Sequence, residues 1–226
     1  LREIENVNGS FDADTLIGDA NANTLYGGRG NDWLTGGQGD DTLIGYKDVD
    51  WASYSDATFA VNVDLAAGTA TGGAGNDILQ EIENVQGSQF NDTLKGDGGD
   101  NSLDGGAGND KLDGKQGQDT LTGGAGNDIF KFTVNGIADK ITDFNVINDT
   151  IQLENGIFKA LTTTGVLAAD QFKVGAKAAD ANDFVIYNKA AGSLLYDADG
   201  NGATEAVQIA TVGTGLNMTN ADIVVI

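Results

Sequence analysis

Aspartates recur at a spacing of nine residues along the first part of this sequence. In the stretch GGRGNDWLTGGQGDDTLIG, residues 27–45, Asp32 and Asp41 each follow a group of glycines and each precede a Leu by two positions. Carboxylates are hard oxygen ligands, and a series of them at one spacing is suited to holding hard cations. The candidate chemistry is therefore metal binding.

The spacing belongs to a nine-residue repeat, G-G-x-G-x-D-x-U-x, in which U is a large apolar residue. Four stretches fill the pattern completely: GGRGNDWLT, GGQGDDTLI, GGAGNDKLD and GGAGNDIFK. Copies start at Gly9, Gly18, Gly27, Gly36, Gly72, Gly87, Gly96, Gly105, Gly114 and Gly123. A longer repeat is visible as well, because LREIENVNGS at residues 1–10 returns as LQEIENVQGS at residues 79–88. The chain therefore holds two similar arrays separated by an insert.

Each nonapeptide has the composition of a turn followed by a short strand. Its glycines permit positive φ and close approach of another backbone, which suits a six-residue turn. The three remaining residues suffice for a strand whose middle side chain points inward. Two nonapeptides then complete one coil, so that turns on one edge recur every 18 residues at a spacing of about 4.8 Å. This places Asp14 above Asp32.

Stacked carboxylates at that spacing repel each other by roughly 3–4 kcal/mol at an effective dielectric constant of about 20. A divalent cation between successive turns removes this repulsion. Oxygen donors favour calcium over zinc or copper, and magnesium is disfavoured because it requires near-ideal octahedral geometry. Since each nonapeptide buries only one large apolar side chain, we expect the coil to be largely unfolded until calcium binds.

The predicted metal ligands are the aspartates of the turns and the glycines that shape them. They are Asp14, Gly28, Gly30, Asp32, Gly37, Gly39, Asp41, Asp50, Asp77, Asp92, Gly106, Gly108, Asp110, Gly117, Asp119, Gly124, Gly126 and Asp128. Some turns depart from the pattern, because Asn23 and Asn101 replace the Asp, while GSFDAD and GSQFND lack the second glycine. Ion binding at those turns is open.

Composition excludes several other functions. The chain of 226 residues has 34 Gly, no Cys, no His and a net charge of −22. Disulfides, zinc hydrolysis and Ser-His-Asp catalysis are therefore excluded, and the negative charge repels nucleic acid and anionic membrane surfaces. No apolar run approaches the roughly 20 residues that a membrane span needs. A disordered Gly/Asp-rich linker would not require the regularly spaced Leu.

The nonapeptides resemble the RTX (repeats-in-toxin) calcium-binding repeat over residues 9–50 and 72–131. This resemblance implies a parallel β-roll with calcium between turns on the same side. The predicted fold is all-β: an RTX β-roll over residues 1–131, in two arrays at about 1–50 and 72–131 with an insert at 51–71, capped by a β-rich domain at 132–226. Within the insert, FAVNVDLAAGTATG alternates apolar and polar residues around a turn and predicts a β-hairpin.

The C-terminal region carries two further motifs. DADGNGATEAVQ, residues 197–208, places Asp197, Asp199 and Asn201 at EF-hand positions but has Gln208 where the bidentate Glu is required, so a hairpin turn is the favoured interpretation. The segment NADIVVI resembles the C-terminal type I secretion signal of RTX proteases and lipases. The alternative, compatible with the first, is a last strand of the cap.

The leading functional hypothesis is a non-enzymatic module of a larger secreted bacterial protein, because the sequence starts in the middle of a repeat. It would be exported by the type I machinery of a Gram-negative cell, fold on extracellular calcium and remain a monomer. Any catalytic domain would lie upstream. The alternative is an accessory module that binds polysaccharide or a cell surface through Arg29, Trp33, Lys47, Trp51, Tyr46 and Tyr54.

Overall fold

A computed structural model describes residues 5–226 and shows an all-β chain of 23 strands. The strands of the first part are β1 Asn6–Asn8, β2 Thr15–Ile17, β3 Thr24–Gly28, β4 Trp33–Thr35, β5 Thr42–Tyr46, β6 Trp51–Ser53, β7 Val61–Asp64, β8 Thr69–Gly72, β9 Gly75–Gln80, β10 Asn84–Gln86, β11 Thr93–Lys95, β12 Ser102–Asp104, β13 Lys111–Asp113, β14 Thr120–Thr122 and β15 Ile129–Phe132. The strands that follow are β16 Asp139–Ile141, β17 Thr150–Leu153, β18 Gly165–Val166, β19 Phe172–Val174, β20 Val185–Asn188, β21 Ser193–Tyr196, β22 Val207–Thr211 and β23 Ile223–Val225. Two 3-10 helices cover Ala169–Gln171 and Asn220–Asp222. The first copy of the longer repeat begins at Leu1, and its first four residues lie outside the described part.

The strands form two sheets between which the chain alternates. The first sheet has the order β1-β3-β5-β9-β8-β7-β11-β13-β15-β17-β23-β18, and the second has the order β19-β20-β21-β22-β16-β14-β12-β10-β6-β4-β2. Strands of the repeats pair in parallel with partners 18 residues away, for example Leu94 with Leu112. The predicted parallel β-roll is therefore confirmed.

The core lies between the two sheets and consists of the apolar residue of each nonapeptide. Leu25, Leu34, Leu43, Leu94, Leu103, Leu112, Leu121 and Phe130 are all at most 1 % exposed. Leu16, in the first coil of the second sheet, is 9 % exposed because β2 pairs only with β4. A strand of three residues with one inward side chain thus supplies one layer of core per nonapeptide.

The insert lies in the first sheet. As the alternation predicts, β7 and β8 form an antiparallel pair, and a turn at residues 65–68 joins them with Gly68 at φ 65°. The segment that starts at Trp51 also contributes to the roll, since β6 pairs in parallel with β4 and with β10. Ala52 occupies the inward position of β6 and is fully buried.

The sheets continue without a break into the C-terminal region. β16 pairs with β14, β17 with β15, β22 with β16 and β23 with β17, all in parallel. One hydrophobic cluster extends from Leu16 to Val225. Within β22, Ile209 is fully buried, whereas Val207 is 41 % exposed.

Candidate metal sites

The turns of the roll stack along two edges. One edge carries the turns at residues 9–14, 27–32, 45–50, 96–101 and 114–119, and the other carries those at 18–23, 36–41, 87–92, 105–110 and 123–128. Each turn ends in the sixth residue of its nonapeptide, directly before the next strand. Because neighbouring strands of a sheet lie 18 residues apart, the sixth residues of successive coils lie next to each other.

A ladder of hydrogen bonds joins the sixth residues along each edge. One carboxylate oxygen of each Asp accepts the backbone N–H of the sixth residue one coil earlier, as when Asp110 donates to Oδ1 of Asp128 at 2.9 Å. The same contact joins Asp14 to Asp32, Asn23 to Asp41, Asp32 to Asp50, Asp41 to Asp77, Asp92 to Asp110 and Asn101 to Asp119. The carboxylates are thereby fixed in position by the coil before them.

The second carboxylate oxygen is buried without a hydrogen-bond partner in six of these residues. They are Asp32, Asp41, Asp50, Asp77, Asp110 and Asp119, whose side chains are at most 3 % exposed. A buried carboxylate oxygen without a donor is costly, and native proteins pair such groups with a donor, a cation or a metal. A cation can pair with these oxygens, so the residues present fit the metal predicted from the sequence.

In the turns of the two regular arrays, a free Asp oxygen goes with the conformation of the second residue of the turn; Asp77 is an exception, because its oxygen is free although Gly73 lacks positive φ. Where that residue has positive φ, as Gly28, Gly37 and Gly106 do at 111°, 98° and 93°, its N–H makes no hydrogen bond to the sixth residue of its own turn. Tyr46 and Lys115 hold the same position with φ 78° and 71°, although neither is a glycine.

Four turns whose second residue is Ser or Asp, without positive φ, behave differently. The N–H of Ser10 donates to Oδ2 of Asp14, and that of Ser88 donates to Oδ2 of Asp92. Asp19 and Asp97 donate in the same way to Oδ1 of Asn23 and Asn101. At Asp92 both oxygens are occupied, since Oδ1 accepts from the N–H of Val61 and the hydroxyl of Ser88. The four turns that depart from the sequence pattern are therefore closed by their own backbone.

The predicted glycines of the turns all adopt positive φ. This holds for Gly28, Gly30, Gly37, Gly39, Gly106, Gly108, Gly117, Gly124 and Gly126, with φ between 88° and 152°. A Cβ on Gly124 or Gly126 would overlap the carbonyl oxygen of Gly106 or Gly108, respectively, so successive turns approach through bare backbone. The position of a Cβ on Gly105 is close to both Oδ2 of Asp110 and the carbonyl oxygen of Gly123, so carbonyls near the carboxylates can serve as neutral oxygen ligands.

Among residues 5–226, no three acidic side chains converge on one point. The donor set of each level is therefore a small number of carboxylate oxygens supplemented by carbonyls. Calcium accepts six to eight oxygens of mixed type in flexible geometry, whereas zinc would require N or S ligands and magnesium a regular octahedron.

Burial raises the pKa of the ladder carboxyl groups when no cation is present. It raises the pKa of Asp110, Asp119 and Asp139 to about 7, with a further contribution from neighbouring carboxylates. The pKa of Asp50 and Asp77 rises to about 6 for the same reasons.

Three ladder residues were missed by the sequence analysis. Glu83 accepts the N–H of Asp50 at 2.8 Å, Asp139 that of Asp119 at 3.1 Å, and Asp149 that of Asp128 at 3.0 Å. Their turns lack the glycine pattern, but each acidic residue stands two positions before a buried apolar residue. The triplets Asp-Lys-Ile at 139–141 and Asp-Thr-Ile at 149–151 repeat the D-x-U part of the nonapeptide. This signal could have identified Asp139 and Asp149 as ladder residues.

Two other sequence candidates lie outside the ladders. The loop after β21 connects it to β22 as an antiparallel pair, as the hairpin interpretation predicts, and within it Asp197 accepts the N–H of Asp199. Of the aromatic residues named for polysaccharide binding, Tyr54 is only 2 % exposed and cannot contact a ligand at the surface. Trp33 and Trp51 are partly exposed and stack on each other at 5.0 Å.

Comparisons with known proteins agree with this reading of the repeats. The family model of the RTX calcium-binding nonapeptide repeat, which describes four copies, matches residues 5–51, 67–80, 86–121 and 108–131. No match was found among curated proteins.

A matching solved structure is the extracellular lipase LipA from Serratia marcescens, 17 % identical, with a TM-score of 0.30. The match covers 99 % of this chain and 40 % of the lipase chain, so this chain spans less than half the length of that protein. The match, together with the glycine turns around buried leucines, shows that residues 5–51, 67–80 and 86–131 are RTX nonapeptide repeats, which bind calcium.

Proposed function

We propose that this chain is a module that folds when calcium binds outside the cell and that it belongs to a larger secreted bacterial protein. The observation that carries this proposal is the row of buried Asp oxygens without a donor, at Asp32, Asp41, Asp110 and Asp119 among others. A chain of net charge −22 with such groups in its interior is destabilised until cations neutralise them.

The proposed calcium ligands are the carboxylates whose second oxygen is left free and the glycine carbonyls of the adjoining turns. The carboxylates with a free oxygen are those of Asp32, Asp41, Asp50, Asp77, Asp110 and Asp119. Asp128 is included because it follows Asp110 in the same ladder and is equally buried. A bound calcium ion supplies the positive charge that these oxygens lack. Asp14 and Asp92 are weaker candidates, because Ser10 and Ser88 already donate to them.

The difference in calcium concentration between the cytosol and the outside of the cell determines where the module folds. Weak sites built from carboxylates and carbonyls fill at the millimolar calcium found outside cells and stay empty at cytosolic concentrations. Before export the chain would remain extended enough to pass a type I channel. Folding outside would then oppose its return.

The segment NADIVVI is proposed as the type I secretion signal. In the folded chain, Ile223 and Val225 are buried in β23, which pairs with both β17 and β18. Asp222 is buried as well, with 8 % of its surface exposed, and its carboxylate accepts the N–H of Thr219 at 2.6 Å. A transporter could therefore bind this segment only while the sheet is unformed, which fits export of a calcium-free chain.

Export tests this part of the proposal directly. The chain and a variant lacking residues 222–226 are expressed in a Gram-negative host that carries a type I exporter, and the medium is assayed for each. We expect only the complete chain to reach the medium. Equal export of both would contradict the signal, and the exporter-free host is the control for lysis.

Catalysis is proposed to reside in another part of the larger protein, so that this module supports export and stability. The described residues include no helix that is long and apolar enough to cross a bilayer. We further propose that the module is a monomer.

Polysaccharide binding is the second candidate function, favoured by two aromatic pairs at the surface. Trp33 stacks on Trp51, and Tyr26 stacks on Tyr46 with centroids 6.1 Å apart. Aromatic rings are suitable partners for sugar rings, but each of these rings already covers a face of its neighbour. Calorimetric titration with an acidic and a neutral polysaccharide, using Trp51→Ala beside the unchanged chain, tests this function; heat that is the same for both proteins would contradict it.

A further inference from the structure

Four lysines surround a cavity on the outer face of the first sheet. The cavity has a volume of about 350 Å³ and lies over β11, β13 and β15. Its lining residues include Thr93, Lys95, Lys111, Asp113, Lys115 and Lys131. These lysines are all the basic residues that the sequence has between positions 48 and 139. A chain of net charge −22 thus gathers the positive charge of this long stretch on one surface.

Parallel pairing of the strands brings the lysines together. Lys95 is in register with Asp113, and Lys111 is in register with Ile129. Because Leu112 is fully buried in the core, the residues on either side of it point outward. Neighbouring strands lie about 4.8 Å apart, so the outward side chains of β11 and β15 start about 10 Å apart across the cavity. The lysines therefore form a row of ammonium groups rather than one point charge.

The carboxylates that pair with two of these lysines lie outside the cavity. Lys95 pairs with Asp64 at 3.2 Å, and Lys131 pairs with Glu154 at 3.2 Å, but neither carboxylate is among the described lining residues. Each ammonium group has three N–H donors, so one ion pair leaves donors for another partner. Among the described lining residues, Asp113 is the only acidic one.

Asp113 is engaged by neighbouring side chains. Its Oδ2 pairs with the ammonium group of Lys115 at 2.9 Å, and its Oδ1 accepts the hydroxyl of Thr133 at 2.9 Å. Lys111, in contrast, forms no ion pair with any residue of the described range 5–226. The lining of the cavity thus carries four positive charges and one negative charge, and the charge of Lys111 has no partner.

The size and charge of the cavity favour an anion with several separated charges. Lysine ammonium groups are point charges that bind carboxylate, sulfate or phosphate oxygens. A volume of about 350 Å³ corresponds to roughly ten water molecules at about 30 Å³ each, so a single inorganic ion would fill only a small part of it. The ligand is therefore a larger molecule that carries more than one anionic group.

The surroundings of the cavity disfavour nucleic acid and membrane surfaces. The described lining includes no aromatic residue, and single-stranded nucleic acid binds by stacking its bases on aromatic side chains. Duplex DNA or an anionic bilayer would extend its dense charge beyond the lysines onto the acidic turns of the roll. A single flexible chain of acidic sugars can place its anionic groups on the lysines alone.

We propose that this lysine cavity binds an acidic polysaccharide through its carboxylate or sulfate groups, with Lys111 as a direct contact. This inference rests on the proposed function, because a module outside the cell would meet such chains. The site is separate from the tryptophan pair considered above, since Trp33 and Trp51 belong to β4 and β6 of the second sheet. Asp113 limits the affinity, because it holds the ammonium group of Lys115.

Calorimetric titration of the whole chain in saturating calcium tests the inference. Calcium is included because it neutralises the ladder carboxylates near the lysines, such as those of Asp110 and Asp128. The probes are an oligogalacturonate, which carries carboxylates, and a heparin-derived oligosaccharide, which carries sulfates. Neutral dextran and a single-stranded oligonucleotide are the comparison ligands. Titration of each probe into the calcium buffer alone corrects for calcium binding by the sugar.

Lys111→Gln removes the unpaired charge of the cavity, and Lys140→Gln is the matched control. Each of these lysines follows a ladder Asp and precedes a buried apolar residue, but Lys140 lies in β16 of the second sheet. We expect Lys111→Gln to weaken binding of the acidic sugars by about three- to fivefold and Lys140→Gln to leave it unchanged.

Asp113→Asn tests the same cavity with the opposite sign. It removes the negative charge of the lining and releases Lys115, so we expect binding of the acidic sugars to strengthen by about two- to fivefold. A variant that merely folds less well would not produce this gain. Unchanged or weaker binding in Asp113→Asn would contradict the inference.

Four further results would overturn the inference. Two of them are the absence of heat with both acidic sugars and equal weakening by Lys111→Gln and Lys140→Gln. A third is oligonucleotide binding as tight as that of the sugars, because the cavity would then attract any polyanion. The fourth is loss of binding in Trp51→Ala but not in Lys111→Gln. Failure of the proposed function looks different: circular dichroism would show the unchanged chain fully β-structured in chelator, whatever the sugars do.

Discussion

Ser88 donates its backbone N–H to Oδ2 of Asp92 at 2.5 Å, and this contact closes the turn without a metal. One coil later on the same edge, Gly106 has φ 93°, and Oδ2 of Asp110 is buried with no partner. The two turns differ at the second, third and fourth residues of the nonapeptide, and the N–H that reaches Oδ2 of Asp92 belongs to the second. In the turns of the regular arrays, the conformation at the second position therefore goes with the availability of the Asp oxygen to a cation.

Exchanging the residue types at positions 88 and 106 should weaken calcium binding at Asp110 and strengthen it at Asp92. Gly106→Ser puts a Cβ where it would overlap the carbonyl oxygen of Ser88 and disfavours the positive φ, so we expect weaker calcium binding by about tenfold or more at Asp110. Ser88→Gly should have the opposite effect at Asp92. Calorimetric calcium titration measures both, and unchanged stoichiometry and affinity in both variants would contradict this relationship.

Lys115 occupies a positive φ of 71° that glycine adopts without strain. Lys115→Gly should therefore increase the free energy of unfolding in saturating calcium by about 0.5–1 kcal/mol, after loss of its ion pair with Asp113. Urea unfolding checks this. Lys111→Gly, within strand β13, is the control and should destabilise by a similar amount; destabilisation by both would show that Lys115 is not strained.

Stability without calcium should depend on pH in a defined direction. The pKa values of Asp110, Asp119 and Asp139 rise from an unfolded value near 3.8 to about 7, so the folded chain binds more protons between these limits. The free energy of unfolding in chelator should then be greatest below about pH 4 and fall as pH rises to about 7.

Circular dichroism in chelator at pH 4.5 and at pH 8 measures this dependence, and we expect more β-structure at the lower pH. Asp119→Asn removes one titrating group and should reduce the difference. Calcium binding at pH 6 to 7 should release protons, which calorimetry in buffers of different ionisation enthalpy detects. A metal-free chain that gains structure as pH rises would contradict the account.

The single inward residue of each nonapeptide should dominate the stability of its coil. Leu121 is fully buried between the sheets, and Leu121→Ala should cost about 2–5 kcal/mol of unfolding free energy in saturating calcium. Thr120→Ala, on the outer face of the same strand, is the control and should cost less than about 1 kcal/mol. Equal losses from the two substitutions would show that the coil is not held together by this layer.

The periodicity of the sequence predicted the roll because each nonapeptide encodes its own turn and strand. Gly106, Asp110 and Leu112 have local roles, fixed within nine residues, and the structure places them as expected. The hairpin of the insert was equally visible, since its alternation is local.

Long-range pairing was not predictable in the same way. Sequence order gives no sign that β9 returns to β5 while β7 pairs with β11. Asp139 and Asp149 were missed because their turns contain no glycine repeat, although the sheets continue through them. The hydrogen bond from Ser88 to Asp92 depends on backbone conformation, which the one-letter pattern only suggests.

The most direct test of the account is far-UV circular dichroism of residues 1–226 during a calcium titration, with magnesium as the control ion and an Asp110→Asn, Asp119→Asn double variant beside the unchanged chain. The account predicts a cooperative change from coil to β-structure with calcium alone, shifted to higher calcium in the variant. A chain that is fully β-structured in chelator at neutral pH, or one that responds equally to magnesium, would contradict it.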